Sequence, residues 1–306
     1  MADVFFWALV AVATLTGLVT AWTLGANSNS PPFAPAIGAN AISTMRAAFL
    51  IGILAALGAL TQGGAISETV GAGLTEGVAI TSLAATAGLL TATLFMAFGI
   101  YSGYPVPAAF ATTGAMVGVG LSLGGAPVFG TYQRILTFWA LVPPVSGGLA
   151  YLTATILRRD DIPETVGVPV LAAVVGGIVA NVRLSIVPSP PGVTQNSLAG
   201  FAAMVVPLPG VVVVATLLVA AGSFAYIRRK TQASVDEGIR TFLVVLGSVV
   251  AFSSGGSQVG LATGPLENLY TAELGLPSIL LLGLGAVGIL GGAWMGAPRL
   301  LQATAR

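Results

Sequence analysis

Apolar runs long enough to cross a bilayer recur from one end of this chain to the other, which leaves few folds open to it. They fall at roughly 4–24, 46–61, 78–101, 106–124, 135–156, 165–187, 198–226, 240–253 and 277–297. About 20 apolar residues span the hydrocarbon layer as a helix. Barrel strands are half that length and alternate with a period of two, which these runs do not. Inside lipid every backbone amide must be paired, so the runs are expected to be helical throughout. Only 7% of the residues are charged and 56% are hydrophobic, whereas a soluble domain carries about 25% charge. The expectation is an all-α, polytopic helical membrane protein whose first partner is the lipid bilayer. The first run has no basic flank and no cleavage site, so it reads as a retained span rather than a signal peptide.

Absences narrow the chemistry. There is no cysteine and no histidine, which removes thiol chemistry and the commonest transition-metal ligand. A net charge of +1 gives no reason to expect nucleic acid. No cluster of titratable residues lies inside the spans, so an enzyme is not expected. The basic residues orient the chain. With the N-terminus outside, Arg46, Arg158, Arg159, Arg228, Arg229, Lys230, Arg240, Arg299 and Arg306 all face the cytoplasm and the loop with Glu68 and Glu76 faces out. Arg134 is the exception, and Arg183 falls near the outer end of an apolar run. The chain is expected in the cell membrane, multi-pass.

Two segments interrupt this pattern. Residues 25–44 are polar, uncharged and rich in proline and glycine, between two apolar runs. Residues 253–265, which include Ser253, Ser254, Gly255, Gly256, Ser257, Gln258, Gly264 and Pro265, follow a short run at 240–253. Non-helical backbone at membrane depth is tolerated only where protein buries it or a watery cavity bathes it. In transporters such broken helices build the substrate site near the midplane. Both segments are therefore expected to be discontinuous, re-entrant helices. On the orientation above they are entered from opposite sides, as two inverted-topology repeats would require. The plainer reading of each segment is close helix packing through small residues.

The residues in these segments carry a resemblance. Gly25, Ala26, Asn27, Phe33, Gly38 and Ala47 fall in register with a Gly-Ala-Asn-Asp-x-x-Asn-Ala-x-Gly-Thr pattern. Ala251, Phe252, Ser253, Gly255, Val259, Ala262, Gly264, Pro265 and Leu266 fit a related His-Gly-Ala-Asn-Asp-x-x-Asn-Ala-x-Gly-Pro pattern without a gap. Gly103 to Phe110, followed by Gly114 and Gly118, is similar to a Gly-Leu-Pro-Val-Ser-Thr-Thr-His element, and 67–70 is similar to a Val-Thr-Glu-Thr-Ile segment. On these residues the chain resembles the PiT family of inorganic phosphate transporters, which also includes sulfate permeases. The departures concern the chemistry: Ser28 stands at the first Asp, Pro31 at its paired Asn, Ser254 at the His, Ser257 at the Asn, Gln258 at the Asp and Leu261 at the later Asn. Pro107, Ala108, Ala109 and Phe110 replace the Ser-Thr-Thr-His run.

The resemblance implies two halves, 1–157 and 158–306. The second is expected to be incomplete, because its counterpart of Pro105 would lie beyond Arg306. It also implies secondary transport of a small inorganic oxyanion, phosphate first and sulfate second, by alternating access. The alternative is a transport-inactive relative acting as a membrane scaffold or regulatory subunit. A dehydrated oxyanion is expected to meet Asn27, Ser28, Asn29, Ser30, Ser254, Ser257 and Gln258, with free amides at a broken helix end. Arg183 adds the positive charge for an anion path, or else snorkels to the surface. Arg46 meets the anion at the cytoplasmic mouth or anchors a helix end. No resident cofactor is expected. A coupling sodium ion or proton would sit near Asn27, Gln258 or Glu267; the plainer reading of Glu267 is a solvated loop acid. A homo-oligomer, with a dimer first, completes the expected partners.

Overall fold

The computed structural model describes residues 2–28, 31–64, 73–102, 106–159, 161–184, 187, 196–206 and 208–296. Its helices are α1 (Ala2–Ser28), α2 (Ala34–Gly38), α3 (Thr44–Gln62), α4 (Ser82–Ser102), α5 (Ala108–Ser122), α6 (Phe129–Leu157), α7 (Glu164–Ala180), α8 (Leu198–Val205), α9 (Val211–Ala233), α10 (Val235–Thr263) and α11 (Ser278–Met295). A two-residue antiparallel pairing of Thr75 with Pro127 and Glu76 with Ala126 is the one strand pairing among the described residues. Six of these helices are long and apolar enough to cross a membrane: α1, α3, α6, α9, α10 and α11. The packing forms two compact units. One comprises 1–34, 43–136 and 250–306, the other 35–42 and 137–249. The halves read from the sequence, 1–157 and 158–306, are an expected division by repeat, which these packing units do not test.

In the first unit, α1, α3, α10 and α11 meet through glycines that bring backbone against backbone. Gly288 abuts Leu18 and Ala21, Gly292 abuts Trp22 and Ala26, and Gly296 abuts Ala26, so α1 and α11 run the same way. Gly52 meets Trp294 and Gly63 meets Leu282, so α3 runs against α11. Gly58 touches Phe252 and Gly63 touches Val259, so α3 and α10 run together. The hairpin α1–α3 and the hairpin α10–α11 are thus packed with opposite sense. Small-residue contacts suit this environment, because lipid supplies no hydrophobic drive between helices and close packing must hold them. Trp294 fastens the end of α11 to α3: its ring stacks on Phe49 at 5.3 Å and its Nε1 donates to the Phe49 carbonyl at 3.3 Å. Between α1 and α4, the buried hydroxyls of Thr20 and Thr93 meet at 2.5 Å.

In the second unit, α7 and α9 pack tightly, with Gly176 against Ser223 and Val219. Val168, Ala172, Ile227 and Phe242 make the core there. The run at 198–226, expected as one segment, is two helices. α8 ends at Val205, and Gly210, at φ +82°, turns the chain into α9. That left-handed conformation is open to glycine at no steric cost. An exposed ion pair joins Lys230 to Glu237 at 2.6 Å across the turn from α9 to α10.

Candidate functional site

The first break begins later than the polar residues suggest. α1 stays helical through Asn27 and Ser28, whose side chains lie outside the described residues, as do Asn29 and Ser30 altogether. Pro31 and Pro32 have no amide hydrogen to continue the ladder, and the chain tightens into a 3-10 turn, Pro31–Phe33. Phe33 is fully buried and anchors that turn. α2 ends at Gly38, and the turn after it closes at Asn40, whose φ of +53° is the left-handed conformation that asparagine tolerates better than most side chains. The backbone then stays irregular until α3 starts at Thr44.

The second break is displaced. Residues 253–263 were expected to be broken but continue α10 without interruption to Thr263. The glycines there are packing positions: a Cβ on Gly255 would lie 1.9 Å from the Ala55 carbonyl oxygen of α3. The serines do not break the helix either, because Ser257 Oγ donates back to the Ser254 carbonyl at 2.9 Å. That bond uses the hydroxyl hydrogen expected to serve an anion. The break itself comes next, as a 3-10 turn at Gly264–Leu266, a π-helical turn at Leu269–Glu273 and Gly275 at φ +66° before α11.

This irregular segment lies deep in the unit. Leu266 is packed at Gly17, and Tyr270 shares a hydrogen bond with Thr14 at 2.7 Å. Thr14 and Gly17 are the middle of the 27-residue α1, which is long and apolar enough to span. The break therefore sits at the mid-depth of a spanning helix, where irregular backbone has to be buried in protein or line a watery cavity. Leu266, Leu269 and Tyr270 seal it in a core with Ala13, Leu89 and Leu281.

Around the break and the α3–α10 contact, three buried polar atoms have no protein partner: Gln62 Nε2, Gln258 Oε1 and Glu267 Oε2. Such atoms are rare in folded proteins and each calls for an explanation. Gln62 was not among the residues singled out by sequence. It stands at the end of α3, with its side chain filling the space a Cβ on Gly256 would need. The signal was present as a lone amide at the edge of an apolar run, where it looks like a boundary. Glu267 is not a solvated loop acid. Its Oε1 accepts from Ser278 Oγ at 3.3 Å, at the first residue of α11. Glu273 similarly accepts from Ser82 at the start of α4.

Arg183 is not inside a span. α7 stops at Ala180, Asn181 turns its amide onto Gly177 and Thr216, and Arg183 follows in irregular, exposed chain of the second unit. Arg46 is exposed on the first turn of α3, as a helix-end anchor would be. Glu68, the 67–70 segment, Gly103, Tyr104, Pro105, Arg299 and Arg306 lie outside the described residues.

A model of the phosphate transporter family matches residues 24–306. A protein of Pyrococcus furiosus, provisionally named a phosphate permease, is 26% identical, with the alignment covering 92% of this chain and 72% of that protein. A relative from Thermococcus kodakarensis with the same provisional name is 25% identical over 92% of this chain and 73% of its own. Among solved structures, one titled as the sodium-dependent phosphate transporter superposes with a TM-score of 0.73 at 23% identity. It covers 97% of this chain and 78% of its own. That likeness establishes the shared fold.

Proposed function

The chain belongs to the phosphate transporter family, and from that membership we propose that it moves a small inorganic oxyanion across the membrane as a cation-coupled secondary transporter. Phosphate is the first substrate and sulfate the second. The observation that carries the reading is the pair of broken hairpins, α1–α3 and α10–α11, packed with opposite sense, the second with its irregular backbone at the mid-depth of α1. Two such elements offer an anion and a cation opposed helix ends to alternate between. In this reading the halves 1–157 and 158–306 are inverted repeats, the N-terminus is outside, and the protein works as a homo-oligomer, a dimer first. The anion meets neutral donors in two places, one before the start of α3 and one at its end: Asn27, Ser28, Asn29 and Ser30 at the first break, and Ser254, Ser257, Gln258 and the neighbouring Gln62 on the α3–α10 side. Arg183, exposed and beyond α7, attracts the anion at the surface rather than binding it within a span.

The test is uptake of labelled phosphate and sulfate into liposomes holding the purified chain, with sodium, proton or no gradient. Saturable uptake driven by one gradient, and lost when Asn27 and Gln258 are changed to Leu, is the expected result. No uptake of either anion by folded protein would overturn it. That outcome would favour the second reading, a transport-inactive scaffold or regulatory subunit, for which the neutral Ser28 and Gln258 are the supporting observation.

A further inference from the structure

We infer that Glu267 and Ser278 form a binding site for a small hard monovalent cation, sodium first, in the break between α10 and α11. A carboxylate at this depth is costly unless something neutralises it. Glu267 sits between Leu266, which packs at Gly17, and Tyr270, which bonds Thr14, and so at the mid-depth of α1. Among the described residues the one ion pair is Lys230 with Glu237, in the other unit, and no base meets Glu267. Ser278 Oγ donates to one carboxylate oxygen, Oε1. The other, Oε2, is buried with no protein partner of either kind.

That last fact favours a cation over a proton. A proton on Oε2 would be a buried donor with no protein acceptor, and a proton on Oε1, given to Ser278 Oγ, would still leave Oε2 unmet. A cation binds the oxygen directly, and hard cations take oxygen ligands. Ser278 Oγ, whose hydrogen points at Oε1, keeps its lone pairs for the same ion. The backbone around Glu267 departs from regular α-helical pairing, first as a 3-10 turn and then as a π turn. The two polar runs contain no carboxylate, since Ser28 and Gln258 occupy the acidic positions of the pattern they resemble. The negative charge of this pair of hairpins has its place one turn further on.

The use of the site in coupling rests on the transport reading; its binding of a cation does not. The experiment is thermal unfolding of the purified full chain, titrated with sodium chloride against N-methylglucamine chloride at constant ionic strength and fixed pH. The wild type is expected to show a saturable rise in Tm with sodium. Glu267→Gln, which keeps size and shape, should fold with an unchanged or higher Tm in the sodium-free salt and lose the sodium-dependent rise. Ser278→Ala should keep the rise but need more sodium to reach half of it. A wild type without a sodium-dependent rise, or a Glu267→Gln protein that retains it, overturns the site. A wild type whose Tm responds to pH and not to sodium also overturns it, in favour of a proton. If the sodium rise is present while liposomes take up neither phosphate nor sulfate, the site stands and the transport reading fails.

Discussion

Changing Gly58 to Ala tests the tightest glycine contact among the described residues. A Cβ at position 58 would lie 1.8 Å from the Phe252 carbonyl oxygen and 2.8 Å from its carbon. A relaxed C···O contact is about 3.3 Å, so α3 and α10 must part by about 1.5 Å to admit one methyl group. Overpacking of this kind costs about 1–3 kcal/mol. Both sides of the clash are backbone and no rotamer can relieve it, which places the cost near the upper end, about 3 kcal/mol. Alanine returns about 1 kcal/mol through its better helix propensity, leaving a net loss of about 2 kcal/mol. At about 2 °C per kcal/mol for a chain of this size, Tm should fall by about 4 °C. Gly118→Ala is the matched control, since a Cβ there meets nothing within 4 Å. It should leave Tm unchanged or raise it by about 2 °C through propensity alone. Unfolding of both variants can be followed by tryptophan fluorescence in detergent. If Gly58→Ala melts with Gly118→Ala, the backbone contact between α3 and α10 does not exist, and the placement of Gln62 beside Gly256 falls with it.

Tyr270→Phe removes the bond to Thr14 that ties the π turn to the middle of α1. It should cost about 1 kcal/mol, and a thermal double-mutant cycle with Thr14→Val should show the two changes to be non-additive. Gly210→Ala should lower Tm by about 2–4 °C from the cost of a left-handed alanine, although a Cβ there would meet nothing. Gly210→Asn should recover part of that loss.

Much of the helical pattern was legible because lipid leaves so few choices. Long apolar runs must pair their amides internally, and the structure places a helix on each of them. The misplacements share a cause. The glycines and serines of 253–263 look like a break under rules learned from soluble helices, yet Gly255 and Gly256 face α3 while Ser257 bonds within its own helix. The same residue types did mark a real break at 31–43, where consecutive prolines remove donors that no packing can restore. At 198–226 the reverse error arose. Hydropathy stays high through the turn at Gly210, so the division into α8 and α9 was invisible to a criterion that counts apolar residues. The polar atoms of the candidate site were legible in part. Gln258 and Glu267 stood out in or just beyond a recognisable pattern, whereas Gln62 acquires meaning only from the helix that crosses it.

The glycines that fit the family pattern and the polar residues that depart from it have different physical duties, and the structure separates them. Gly25 belongs to the first pattern, and a Cβ on it would lie 2.1 Å from the Ile289 carbonyl oxygen. Gly255 belongs to the second and stands as close to Ala55. Both are fixed by helix crossings that any chain with this arrangement of hairpins must make, whatever it carries. Retaining them therefore certifies the arrangement and is silent on the ion. Ser28 and Gln258, by contrast, occupy positions where the pattern has charge, and replacing charge with neutral groups there leaves the crossings untouched. A chain altered in this way keeps its fold at little cost while its ligand chemistry must change. A transporter built on it has to find negative charge for a cation elsewhere in the broken segments, and Glu267, half-buried beside Ser278 with its Oε2 buried and unmet, is the place proposed for it.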